Sequence, residues 1–132
     1  MRVQGPFFLV LAILLSTSCE GGTEDTGDLC NHTPELDYDN FGAGFLGQFC
    51  NGCHSSIVPP DHRNGAPVGV NFDTYTDSMQ WSERILARTI NVEDPALAMP
   101  PGGGPTDDER GRLTEWIECS VKPDYLQFLE AQ

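Results

Sequence analysis

The sequence predicts a small all-α domain of about three helices joined by Pro- and Gly-rich loops. Three observations carry that expectation. Apolar residues recur at helical spacing in three separate stretches. A capping-box signature opens the last of them. The segments between these stretches, 55–76 and 92–105, hold seven of the 10 prolines, which favours ordered loops over further helix or sheet.

In chain order, Met1–Ser18 has one basic residue, Arg2, then an apolar run Pro6–Leu15 and the small polar Ser16-Thr17-Ser18. The run is too short to span a bilayer and fits a secretory signal, so 1–18 reads as a signal peptide. Cys19 follows directly and resembles a bacterial lipoprotein cleavage site, where the cysteine becomes the lipidated N-terminus. Ser16 departs from that pattern, since an aliphatic residue is usual there, and cleavage to a soluble periplasmic form is the alternative. Residues 19–29 then form an acidic, Gly-rich tether with almost nothing apolar, a composition that stays solvated.

The domain itself is 30–132. Its first helix is expected at about Asn40–Cys50, with Phe41, Phe45, Leu46 and Phe49 in phase and Asp39 or Asn40 as cap. Gly42, Gly44 and Gly47 lower its intrinsic propensity, so packing must hold it. The second, about Asp77–Asn91, aligns Trp81, Ile85, Leu86 and Ile90. The third opens at Thr106-Asp107-Asp108-Glu109, buries Leu113, Trp116 and Ile117, and is bracketed by Pro105 and Pro123. Val68–Phe72 reads as a brief extended piece and Tyr125–Leu129 as a last half-turn.

Charge excludes whole function classes. The chain has 7 Lys+Arg against 20 Asp+Glu. All the acids and all but one of the bases lie after Ser18, which leaves the processed chain at −14. Nucleic-acid binders carry the opposite sign, and electrostatic docking on anionic lipid is equally disfavoured. Without the leader, about 35 % of residues are apolar, a thin supply for a core of this size.

Cys50-Asn51-Gly52-Cys53-His54 carries the chemistry. Two thiols so spaced at a helix end can each add across a vinyl group of a haem, and the adjoining His then lies under the iron as proximal ligand. A redox dithiol or a loop disulfide is the first rival, but a thioredoxin-like site wants a βαβ context that Asp37–Phe49 does not supply. A zinc site is the second. It would need His62, Cys30 or Cys119, and no second Cys-x-x-Cys exists. For the sixth iron position, Met99-Pro100-Pro101 lies 45 residues beyond His54 in the loop before the third helix. A thioether is a soft ligand that favours reduced iron. Met79 reads as packing, and His32 and His62 as exposed imidazoles, although either would make a bis-His iron.

These motifs resemble the class I, single-haem cytochromes c. The family tends to place a Gly eight residues, and a bulky apolar residue four residues, before the first haem Cys; here these are Gly42 and Leu46. Its last helix crosses the first at that Gly with an aliphatic and an aromatic residue three apart, which is similar to Leu113 and Trp116. The match covers about Tyr38–Ser120. The whole chain, with Asn71-Phe72-Asp73-Thr74-Tyr75 and Trp116-Ile117-Glu118-Cys119, looks like a group of small bacterial haem lipoproteins. The resemblance implies a cytochrome c-like fold wrapped around one covalent haem c. The acidic extension and the remaining cysteines depart from the basic pattern.

Of the 5 cysteines, one is assigned to lipid and two to haem. Cys30 and Cys119 remain, and in an oxidising compartment they are expected to pair; two free thiols are the alternative. The bridge would close a loop of about 90 residues and contribute about 4 kcal/mol.

Trp81, Tyr75, Arg63 and Asn71 are candidates for haem-carboxylate or pocket contacts, with ordinary packing equally open to each. Asp107, Asp108 and Glu109 are explained by the dipole at a helix start. Gly102–Gly104 is not a phosphate loop, because no Lys-Ser/Thr follows it.

The expected function is one-electron transfer, with iron held by His54 and Met99, and no enzyme chemistry of the chain's own. Expected partners are other redox proteins bearing a basic docking patch, with membrane attachment through lipid and no nucleic acid. The expected location is the bacterial periplasm or cell envelope, with Glu20 after Cys19 leaning toward the outer membrane. Two alternatives stand beside this: a haem-based sensor or gas-binding module in which Met99 is loosely held, and a disulfide-stapled surface lipoprotein without haem.

Overall fold

A computed structural model describes residues 29–132. The expected signal peptide, Cys19 and all of the expected tether except Leu29 lie outside the described residues. Among the described residues the secondary structure is helical throughout, with no strand. No helix there is long and apolar enough to cross a membrane.

The first helical segment opens with a π-turn, Tyr38–Gly42, and continues as α1, Ala43–Phe49. Its cap is Asp37 rather than Asp39 or Asn40. The Asp37 carboxylate accepts from the Asn40 N–H, and the Asn40 side chain accepts from the Asp37 N–H, a reciprocal box. Helix α2, Tyr75–Thr89, starts two residues earlier than expected, because Thr74 and Asp77 form the same kind of box. Helix α3, Asp107–Trp116, opens on Thr106 and Glu109 as its sequence predicts.

Pro123 does not end the third helix. A π-turn, Ile117–Val121, follows α3 and leads straight into α4, Lys122–Glu130. The wider ladder of the turn shifts the hydrogen-bond register just before Pro123, so its missing N–H falls where a bond is already displaced. Ile117 and Val121 are fully buried, which gives the continued helix an apolar reason to stay on the domain. Val68–Phe72 forms no strand.

The core lies where α3 crosses the first segment. Leu46, Leu113, Trp116, Ile117 and Val121 are all at 0 % exposure, and Phe45 and Ile85 close the sides. Trp116 sits on Gly42, where a β-carbon would overlap the indole. Only ten hydrophobic side chains are buried among the described residues, a small number for a domain of this length. Cys30 and Cys119 form a disulfide with Cα atoms 5.7 Å apart. The seam it closes is extended by the Ser120 hydroxyl donating to the Leu36 carbonyl and by the His32 N–H donating to Glu115.

Candidate functional site

The end of α1 runs directly into the CNGCH motif. The Cys50 and Asn51 N–H groups both donate to the Leu46 carbonyl, and those of Cys53 and His54 donate to the Cys50 carbonyl. The motif is therefore one compact turn that carries both thiols and the imidazole. Cys50, Cys53, His54 and Met99, the four residues expected to hold a haem, line one cavity of about 260 Å³.

His54 is braced on three sides. Its Nδ1 donates to the Val70 carbonyl at 3.0 Å, which leaves Nε2 with a free lone pair. Its own carbonyl accepts from the Phe72 N–H at 2.8 Å. Its ring stacks on Phe72 at 4.8 Å between centroids and 23° between planes. A histidine with a fixed tautomer and one open nitrogen is what a metal ligand requires.

The Val70 carbonyl is itself held in place. Arg63, only 2 % exposed, donates to it and to the carbonyls of Ser55, Ala66 and Pro67 and the side chain of Asn71. One guanidinium thus organises the loop between His54 and Phe72 from within. Its donors are spent on protein, which accounts for its burial without an anion. Asp73 clamps the same loop from outside by accepting from the Ser56 N–H at 2.8 Å. Hydrogen bonds from Ser55 and Ser56 hold its carboxyl below the usual carboxylate range.

Cys50 and Cys53 are both free thiols. Burial pushes the Cys50 thiol up to about 12, the reverse of the activated thiolate a redox dithiol depends on. The neighbouring Asn64 side-chain amide lies 3.8 Å from the Cys53 sulfur.

Met99 reaches the cavity on a strap built by local bonds. Asp94 caps a short 3₁₀ turn, Pro95–Leu97, and the Met99 N–H donates to the Arg88 carbonyl at 2.8 Å. The Met99–Pro100 bond is cis. Met79 packs against the core. Neither His32 nor His62 lines the cavity: His32 lies at the disulfide seam, and His62 faces solvent beside Asp61.

Of the further candidates, Trp81 and Arg63 line the cavity, whereas Tyr75 and Asn71 do not. Tyr75 donates to Asp124, and Asn71 accepts from Arg63. The acidic start of α3 serves its cap: Thr106 donates twice to Glu109 and holds that carboxyl below its ordinary range. Two cavity residues that sequence reasoning missed are Arg84 and Arg88. Their signal was present, since both fall in helical phase with Trp81 and Ile85.

The donor chemistry fits a haem: two free thiols for thioether bonds, one tautomer-fixed imidazole, one thioether side chain, and largely apolar walls that include Phe49, Phe72 and Ile85. No protein-family model, curated protein or solved structure matches the chain.

Proposed function

We propose that the chain is an exported electron carrier with one covalently attached haem c. Cys50 and Cys53 would supply the thioethers, His54 the proximal ligand and Met99 the distal one, on a fold of the cytochrome c type. One observation carries this reading: four residues chosen from sequence by ligand chemistry alone, spread over 50 positions, line a single cavity. The crossing of Trp116 at Gly42 and the small apolar core support it as well. A bound haem supplies axial-ligand redox chemistry. The protein's part is to fix the His54 tautomer through Val70, to hold Met99 on its strap and to keep the site apolar.

The N-terminal leader and Cys19 support a location at the bacterial cell envelope, tethered by lipid. Its excess of acid favours a redox partner with a basic patch. The test is expression with a cytochrome c maturation system, followed by intact mass and a visible spectrum. The expected product is the processed chain plus one haem, lost in Cys50→Ala/Cys53→Ala. A wild-type chain of unmodified mass with no visible absorption would refute the reading.

A further inference from the structure

Cations are scarce in this chain, and their placement is selective. Six follow the leader. Arg112 pairs with Asp108, and Lys122 with Glu83 and Glu118. Arg110 donates to the carbonyls of Thr89 and Pro105, and Arg63 is consumed by its loop. Of these six, only the side chains of Arg84 and Arg88 have no polar partner among the described residues, and both residues line the cavity.

Their positions form a pattern. The α2 residues that line the cavity are Trp81, Arg84, Ile85, Arg88 and Thr89, a single helical face. Ile85 and Thr89 are buried, Arg88 is half-buried and Arg84 is exposed, so the face grades from an apolar floor to a cationic lip. Two like charges one turn apart repel, and α2 offers no relief, since Glu83 is engaged by Lys122 and Asp77 by the Thr74 cap. A lip of that kind suits a ligand with an apolar body and anionic groups at one edge.

We propose that Arg84 and Arg88 are the clamp for the two carboxylates of the haem, each guanidinium able to grip a carboxylate through two parallel N–H donors. This rests on the haem reading of Cys50, Cys53, His54 and Met99 and adds the orientation of the ligand. The apolar edge is tied down at the CNGCH turn, and the carboxylate edge lies against α2. Arg63 does not share the role, because its donors already serve the loop. Arg88 has a second connection, since its carbonyl accepts from the Met99 N–H. The clamp and the Met99 strap are therefore joined through one residue.

The experiment uses the full chain matured with covalent haem, compared with Arg84→Gln/Arg88→Gln. Both are treated with a water-soluble carbodiimide and methylamine, digested, and the haem-bearing CNGCH peptide is weighed. Resonance Raman spectra of the untreated proteins read hydrogen bonding to the haem carboxylates. The expected result is amidation several-fold faster in the double variant, with shifted carboxylate-bending bands. Equal amidation rates, or unshifted bands, would overturn the clamp while leaving the haem reading intact. Absence of covalent haem in the wild-type chain fails the parent reading instead, so the two failures are distinguishable.

Discussion

The indole of Trp116 occupies the space that a side chain at Gly42 would need. The first helical segment and α3 can meet closely only because position 42 has no β-carbon. The crossing point is surrounded by fully buried Leu46, Leu113 and Ile117, so the indole has nowhere to retreat. Gly42→Ala is therefore expected to cost about 1–3 kcal/mol by overpacking, read as a lower midpoint in urea at unchanged m.

Gly44 and Gly47 lie on the same helix with open space where a side chain would project. There glycine supplies only backbone entropy to the unfolded chain. Gly44→Ala and Gly47→Ala are each expected to stabilise by up to about 1 kcal/mol. Thermal melts of the three alanine variants should separate Gly42 from the other two in sign as well as size.

The Cys30–Cys119 bridge closes a loop across 89 positions and fastens the start of the domain to the π-turn that follows α3. Cys30→Ala/Cys119→Ala is expected to lose about 4 kcal/mol, chiefly by freeing the unfolded chain. Denaturation with and without reductant checks this: reductant should lower the wild-type midpoint and leave the double variant unmoved.

What the sequence made legible was local chemistry. CNGCH is recognisable because its two thiols and its imidazole lie within five residues, and the Thr106–Glu109 box because a cap needs only four. The pairing of Cys30 with Cys119 followed from elimination rather than proximity. Arg63 was legible as a pocket candidate, but its loop-bracing role was not. Its acceptors are mainly backbone carbonyls from residues 55–70, and carbonyls leave no mark in a sequence, so Pro-Asp-His-Arg-Asn reads as an exposed turn. The same holds at Pro123, where a π-turn upstream carries the helix past a residue that normally stops it. Arg84 and Arg88 are in phase with Trp81 and Ile85, but charged helix residues are mostly solvated, so phase alone does not assign them to a cavity.

Asp73 makes the loop around His54 sensitive to acid. Its carboxyl is held below the ordinary carboxylate range, first by the Ser55 hydroxyl and then by the Ser56 N–H. A depressed folded-state value means that the stabilisation is fully present above the unfolded value of about 3.9 and is lost as pH falls through the folded one. The protection factor of the Ser56 amide, its exchange rate corrected for the intrinsic pH dependence, should accordingly fall below about pH 4. In Asp73→Asn that acid-dependent component should disappear.

Met99 and Met79 are expected to separate cleanly by experiment. Met79 packs against the core, so Met79→Ala should cost stability, about 2 kcal/mol or somewhat less for a side chain only partly buried, with little effect on the visible spectrum. Met99 is 37 % exposed on its strap, so its truncation should scarcely change the denaturation midpoint of the haem-free chain. If Met99 is the distal ligand as proposed, Met99→Ala in the haem-loaded chain would remove a soft ligand that favours reduced iron, and the reduction potential should fall. The vacated position should then admit carbon monoxide to the ferrous protein, which the wild type should exclude. A Met99→Ala protein with an unchanged spectrum, potential and carbon monoxide response would show that the sixth ligand is another residue. Because neither His32 nor His62 lines the cavity, that result would also require the strap or the loop of residues 55–71 to rearrange on loading.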